Sequence, residues 1–179
     1  MITYPLSISA NWQCASSVSG LSCVKQQWLF EPSSLTAKLK SKSKTFSVKV
    51  LSEQLFTLSP KQQALLGCST QIAINREVIL LCDNTPMVYA QSWLPKGDKS
   101  NPLHNMGERP LGDVIFKNPA LKRTDIEVAT FNLSHSIQQL LAQLNLPNTE
   151  LLGRRSVFSL HEYKFLVCEV FLPGAYLYS

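Results

Sequence analysis

Two hairpin signals constrain the fold of this chain more than any other feature. In the first, the β-rich runs "INREVILLC" and "MVYAQSWLP" flank the turn residues "DNTP" at 83–86. In the second, near the C-terminus, "GRRSVFSL" and "FLVCEVFL" flank "HEYK". Apolar runs that are separated by a few turn residues predict antiparallel pairs. We therefore predict hairpins over residues 71–94 and at the C-terminal end.

The rest of the chain predicts a single α+β domain over residues 1–179, a length that suits one core. Further strands are predicted at 45–51 and 126–131, and helices at 23–30, 33–42, 61–67, 110–117 and 134–145. Residues 95–110 predict a loop with one helical turn that begins at Pro102. Strands and helices do not alternate along the chain as they would in a parallel sheet. We expect a mostly antiparallel sheet with helices on one face.

Composition excludes several classes of protein. Hydrophobic residues make up 45% of the chain and charged residues 16%, which argues against disorder. Part of the formal charge of +5 comes from lysines at 38, 40, 42 and 44, but no aromatic residues are interleaved with them, so we expect no nucleic-acid partner. No apolar run reaches transmembrane length, and no basic residue precedes Lys25, so we expect a cytoplasmic protein without stable membrane insertion.

The cysteines and histidines do not predict a metal site or a disulfide framework. The chain has five cysteines, an odd number, and no CxxC spacing. Three of them lie among apolar residues, which is typical of reduced, buried thiols: Cys68, Cys82 and Cys168. The three histidines are far apart in the sequence, without the spacing of metal ligands.

A glutamate and an arginine lie within the most apolar strands. Glu169 shares a strand face with Phe165, Val167 and Phe171, because alternate side chains point to the same side. Arg76 begins the strand "REVILLC", so the pattern does not decide its exposure. A charge that is buried without a partner costs on the order of several kcal/mol. Both side chains therefore need an explanation.

Three arrangements are compatible with these two charges. Arg76 and Glu169 could form an ion pair with each other, or Glu169 could pair with Arg154 or Arg155 of the neighbouring strand. In the third arrangement, a ligand lies between Arg76 and Glu169. An arginine fork binds a carboxylate, and a buried glutamate can meet a hydroxyl or ether oxygen or handle a proton. Such a pocket suits a small, flat molecule with an acid at one end and an oxygen at the other.

Five segments of the chain resemble the chorismate pyruvate-lyase family in their order and spacing. They are "REVILLCDNTPMVYAQSWLP", "PLGDVIF", "LKRTDIEVA", "LLGRRSVFSL" and "FLVCEVFLPGAYLY". The resemblance runs from Arg76 to the C-terminus, with a fainter similarity from Trp28 to Val50. It implies a six-stranded, mostly antiparallel sheet with helical flaps over an internal site. It also implies an enzyme of ubiquinone biosynthesis that splits chorismate into 4-hydroxybenzoate and pyruvate without metal or organic cofactor.

The resemblance also implies a set of site residues. Arg76 is expected to hold the ring carboxylate, and Glu169 to meet the oxygen in the para position. Leu111 of "PLG" is expected to donate its backbone N–H to the carboxylate. The family commonly has methionine before a threonine, and here that pair is Leu35 and Thr36. Leu35 is expected to make a further backbone contact. Candidates for the second, enolpyruvyl carboxylate are Arg154, Arg155, Lys122 and Arg123.

A second function is compatible with the same pattern. Related folds serve as effector domains of bacterial repressors, so the chain could be a non-enzymatic binder of aromatic acids. In both cases we expect a monomer whose two charged ends are separated by a ring and two hydrogen bonds, roughly 8–12 Å. A direct Arg76–Glu169 ion pair would contradict both interpretations.

Overall fold

The computed structural model describes residues 10–96, Leu103 and residues 106–179, with only the backbone of His135. Pro102, where a helical turn is predicted, lies outside these residues. The strands are β1 (Gln13–Cys14), β2 (Phe46–Thr57), β3 (Ile72–Cys82), β4 (Thr85–Pro95), β5 (Lys122–Arg123), β6 (Glu127–Phe131), β7 (Leu151–Leu160) and β8 (Tyr163–Phe171). The helices are α1 (Cys23–Leu29), α2 (Leu35–Lys42), α3 (Pro60–Leu66), α4 (Leu111–Ile115) and α5 (His135–Gln143). Short 3-10 helices cover Ala15–Ser17 and Tyr176–Tyr178.

The strands of the described chain form one open antiparallel sheet in the order β1-β6-β7-β8-β4-β3-β2, with β5 paired beside β7. The prediction of an antiparallel sheet is confirmed, but the number of six strands is wrong, since the sheet has eight. The two additional strands, β1 and β5, have two residues each. A segment of two residues has no alternation that a sequence pattern could reveal.

Both predicted hairpins form, and the turn of the first has the backbone that a tight hairpin needs. Asp83 and Asn84 connect β3 to β4 with φ values of 48° and 64°, a left-handed conformation that Asp and Asn tolerate. The Asp83 carboxylate also accepts hydrogen bonds from the backbone N–H groups of Lys44 and Thr45. The start of β2 is thereby fixed beside the end of β3.

Helices cover both faces of the sheet, so the prediction of helices on one face is wrong. The face that carries Val78 packs against α1 and α2, and further along the strands against α4. The face that carries Ile79 packs against α5, and a separate cluster includes Leu66 of α3. The central strands carry apolar side chains on both sides, and burying both sides requires cover on both.

Two expectations about the chain as a whole can be compared with the structure. All five cysteines are free thiols, and Cys82 and Cys168 are buried, whereas Cys68 is only partly buried. Among the described residues, no helix is both long enough and apolar enough to cross a membrane.

Candidate active site

The register of four central strands brings Arg76 and Glu169 onto the same face of the sheet. Arg76 lies opposite Ser92, which lies opposite Val167 of β8. Glu169 lies two residues further along β8, opposite Ala90 on one side and Arg154 on the other. Because β4 separates β3 from β8, these two strands lie about 10 Å apart, and the offset of two residues along β8 separates the two charged residues further.

A cavity lies over this face, between the sheet and helices α2 and α4. The space between its lining atoms amounts to about 590 Å³, counting the part that is open to solvent. Its walls are mostly apolar, and its charged lining residues are three arginines and one glutamate: Arg76, Arg123, Arg154 and Glu169. The cavity lining is therefore net positive and suits an anion with an apolar body.

The beginnings of α2 and α4 form the roof of the cavity. Ser34 caps α2 by accepting a hydrogen bond from the backbone of Ala37. A side chain at Gly112 would place its Cβ 2.7 Å from Oγ of Ser34 and 2.7 Å from Oγ1 of Thr36, so the two helices meet where only glycine fits. The first N–H groups of a helix have no partner within the helix. This packing brings the first residues of both helices, Leu35 and Leu111, into the lining.

Arg76 is buried at one side of the cavity, with only 2% of its side chain exposed. Its Nη2 donates to the carbonyl oxygens of Gly107, at 2.7 Å, and Arg109, at 3.3 Å. Its Nε lies 3.3 Å from Oε2 of Glu53, an ion pair without hydrogen-bond geometry. Burial lowers the pKa of Arg76, and the charge of Glu53 partly offsets this effect. The guanidinium is therefore held in place by the protein itself.

Glu169 lies across the cavity and pairs with Arg154 of β7. Nε of Arg154 donates to Oε2 of Glu169 at 2.6 Å, and the glutamate side chain is 15% exposed. Nη1 of Arg154 donates to the backbone carbonyls of Trp28, Leu29 and Glu31. Of the arrangements that the sequence left open, the pair with Arg154 forms and the direct pair with Arg76 does not. Glu169 is also less buried than its strand pattern indicates, because it faces the cavity.

Arg123 of β5 is the third arginine in the lining. Its Nε donates to Oγ of Ser156 at 2.9 Å, and its Nη1 donates to the backbone carbonyls of Glu31 and Pro32. Its guanidinium lies over the ring of Phe158, 5.1 Å from the centroid. Burial and the nearby charge of Arg154 lower the pKa of Arg123 to about 10. It therefore carries its charge at neutral pH.

Each charged side chain of the lining keeps one polar atom without a partner among the described residues. These atoms are Nη1 of Arg76, Nη2 of Arg123, Nη2 of Arg154 and Oε1 of Glu169. The site thus combines guanidinium donors for anions with one carboxylate oxygen that can accept a hydrogen bond from a hydroxyl.

Two of the candidate cations do not reach the cavity. Arg155 follows Arg154 in β7 and therefore points to the opposite face, where its Nε pairs with Oε2 of Glu127 at 2.7 Å. Lys122 is exposed and does not contribute to the lining.

The geometry agrees with the comparisons with known proteins. A family model described as "Chorismate lyase" matches residues 6–179. The chain belongs to the chorismate lyase family. The probable chorismate pyruvate-lyase of Pseudoalteromonas translucida is 71% identical over 180 residues, covering 99% of this chain and 100% of that protein. The probable chorismate pyruvate-lyase of Psychromonas ingrahamii is 36% identical and covers 97% of this chain and 96% of that protein.

Solved structures share the fold at much lower identity. The effector domain of PhnF from Mycobacterium smegmatis has a TM-score of 0.62 at 13% identity, over 79% of this chain and 89% of that domain. A GntR-family transcriptional regulator from Bacillus cereus has a TM-score of 0.51 at 16% identity, over 72% of this chain and 92% of that chain. This chain therefore shares its fold with these two structures.

Sequence reasoning missed two residues that shape the site. Glu53, the partner of Arg76, lies beyond the predicted end of its strand. The sequence distinguishes Gly112 only as part of the motif "PLG". Its close packing depends on the position of α2. Neither residue carries a local signal, because the pairing of Glu53 with Arg76 depends on a register shift between Val50 and Ser52.

Proposed function

We propose that this chain is a chorismate pyruvate-lyase, which converts chorismate into 4-hydroxybenzoate and pyruvate. One observation carries this proposal: a member of the chorismate lyase family has a mostly apolar cavity with Arg76 on one side and Glu169 on the other, and the two are not paired with each other. A flat ring with a carboxylate at one end and an oxygen at the other fits between them.

Binding of the ring carboxylate falls to Arg76 and the roof. The free Nη1 of Arg76 donates to the carboxylate, and the first backbone N–H groups of α4 and α2, at Leu111 and Leu35, add further donors. Because Arg76 is already fixed by two carbonyl oxygens, binding does not require it to lose further side-chain freedom. The apolar walls exclude water, which strengthens these polar contacts.

Chemistry takes place at the other end of the ring. The C–O bond to the enolpyruvyl group breaks, the ring carbon that bears the hydroxyl loses its hydrogen, and the enolpyruvyl group gains a proton and leaves as pyruvate. The ring becomes aromatic, which supplies the driving force. Oε1 of Glu169 accepts a hydrogen bond from the ring hydroxyl or assists the proton transfer, while Arg154 holds the carboxylate in position.

The test is to incubate purified protein with chorismate and measure both products against the spontaneous reaction. We expect 4-hydroxybenzoate and pyruvate in equal amounts and well above the background rate. The other candidate function is a binding module, which the fold shared with the effector domains favours. Binding of 4-hydroxybenzoate without any turnover would support that function and contradict ours.

We also propose that the product enters ubiquinone biosynthesis and that the chain acts as a cytoplasmic monomer. Activity that is restricted to a dimer fraction in size-exclusion chromatography would contradict the monomer.

A further inference from the structure

The cavity has more arginines than one carboxylate requires. Three guanidinium groups face it, each with a terminal NH₂ group that no described residue occupies. The proposed product, 4-hydroxybenzoate, has one carboxylate, whereas chorismate has two. If Arg76 binds the ring carboxylate, then Arg123 and Arg154 are left as candidates for the carboxylate of the enolpyruvyl group.

The two remaining arginines differ in how fully they are already bound. Arg154 uses Nε for Glu169 and Nη1 for three backbone carbonyls, and only 2% of its side chain is exposed. Among the described residues Arg123 has no carboxylate partner, and its hydrogen bonds go to a serine hydroxyl and two carbonyl oxygens. Arg154 is therefore a positioning residue for Glu169, and Arg123 is the guanidinium whose charge still lacks an anion within hydrogen-bond reach.

The position of Arg123 agrees with the chemistry of the substrate. In chorismate the enolpyruvyl ether is on the ring carbon next to the one that bears the hydroxyl. If Glu169 meets that hydroxyl, the second carboxylate must lie close to Glu169. Arg123 is close enough to Arg154 and Glu169 for the charges of both to affect its pKa. Its Nε donates a hydrogen bond to Ser156, which lies two residues from Arg154 in β7.

We infer that Arg123 binds the enolpyruvyl carboxylate of the substrate through its Nη2 group. This inference rests on the proposed function. It makes Arg123 a residue that distinguishes substrate from product, since 4-hydroxybenzoate has no group that could occupy it. The positive charge of Arg123 is then neutralised when the substrate binds and is left without an anion when pyruvate leaves.

The first test compares turnover with product binding in Arg123→Gln. Losing a charge-assisted contact to a carboxylate lowers kcat/KM for chorismate by about 10- to 100-fold. The Kd for 4-hydroxybenzoate, measured by calorimetry, changes by less than about threefold, because the product does not touch Arg123. Arg123→Lys keeps the charge without the fork, so its kcat/KM falls between those of the wild type and Arg123→Gln.

A purely structural role for Arg123 predicts a different result. Its bonds to Glu31 and Pro32 hold the segment that leads into α2, so loosening them would weaken substrate and product binding equally. That equal loss, or a kcat/KM that does not change, would overturn the inference. Arg155→Gln is the matched control: it removes an arginine of β7 that faces the opposite side, and both constants stay at the wild-type values.

An equilibrium probe separates this inference from the proposed function. The probe is 4-hydroxybenzoate with a carboxymethoxy group at position 3, which places a second carboxylate beside the hydroxyl. Wild-type protein binds it more tightly than 4-hydroxybenzoate, and Arg123→Gln removes that difference. This result supports the role of Arg123 even if chorismate is not converted, an outcome that contradicts only the proposed function. If the probe binds equally to both proteins, the inference is wrong.

Discussion

Replacing Glu169 with glutamine removes one charge from the Glu169–Arg154 pair and keeps the size of the side chain. Breaking a buried ion pair by removing one partner costs about 3–5 kcal/mol. Glutamine still accepts a hydrogen bond from Nε of Arg154, which reduces this loss by about 1 kcal/mol. The carbonyls that bind Nη1 stay in place. We expect a loss of about 2–4 kcal/mol in the free energy of unfolding, measured by chemical denaturation. A typical domain with about 5–15 kcal/mol of stability tolerates that loss and still folds.

The same substitution separates turnover from product binding. If Glu169 takes part in proton transfer, kcat for chorismate falls by about 100-fold or more. The Kd for 4-hydroxybenzoate changes by less than about tenfold, because the glutamine oxygen still accepts from the hydroxyl and Arg76 still binds the carboxylate. Initial rates of product formation and titration calorimetry measure the two quantities on the same preparation.

Glu127→Gln is the matched control for this experiment. Glu127 and Arg155 form an ion pair of nearly the same length, 2.7 Å, on the opposite face of the sheet. The Glu127 side chain is 35% exposed, so we expect the substitution to lower the free energy of unfolding by less than about 1 kcal/mol and to leave turnover unchanged. Our reasoning about Glu169 fails if kcat of Glu169→Gln stays within threefold of the wild type, or if Glu127→Gln slows the reaction equally.

Three other substitutions test the anchor, the roof and the pH dependence of stability. Arg76→Gln weakens 4-hydroxybenzoate binding by about 10- to 100-fold in calorimetry, and an unchanged Kd contradicts its role as anchor. Gly112→Ala forces Cβ against Ser34 and Thr36, so thermal denaturation shows a loss of about 1–3 kcal/mol, and full stability refutes the close contact. Burial opposes ionisation of Glu31, but hydrogen bonds from a serine and a lysine hold its pKa at about 2, well below the ordinary glutamate value of 4.5. Its contribution is therefore complete above pH 4.5 and lost towards pH 2, and Glu31→Gln flattens that slope in acid titrations, whereas an identical slope contradicts this assignment.

The hairpins were predictable because their signals are local. Alternation of side chains and a few turn residues were enough to identify β3 with β4 and β7 with β8. The choice among the candidate partners of Glu169 was not predictable, because it depends on the length of one turn. The turn predicted at 161–164 has four residues, whereas Leu160 pairs with Tyr163 across a turn of two. With the longer turn, the register would place Ser156 opposite Glu169, and Arg154 would not be its neighbour.

The site was predictable in part and for a similar reason. Arg76 and Glu169 stood out as charges among apolar residues, which is a local signal. Glu53 did not, because the strand continues past its predicted end and a bulge between Val50 and Ser52 shifts the register that brings Glu53 opposite Arg76. The carbonyls that bind Arg123 and Arg154 belong to the end of α1 and the loop after it, which are far away in the sequence. No pattern within one strand contains information about such a contact.

Those carbonyls explain how an arginine-rich cavity can stay open before a ligand binds. Three guanidinium groups around one carboxylate would repel each other and draw Glu169 across the cavity if they were free to move. Backbone oxygens bind all three, so their partial charges offset the desolvation of the guanidinium groups and fix their directions. A ligand then meets donors that are already aligned, and little of its binding free energy is lost in ordering them. The backbone around 28–32 and 107–109 is therefore as much a part of the site as the charged side chains.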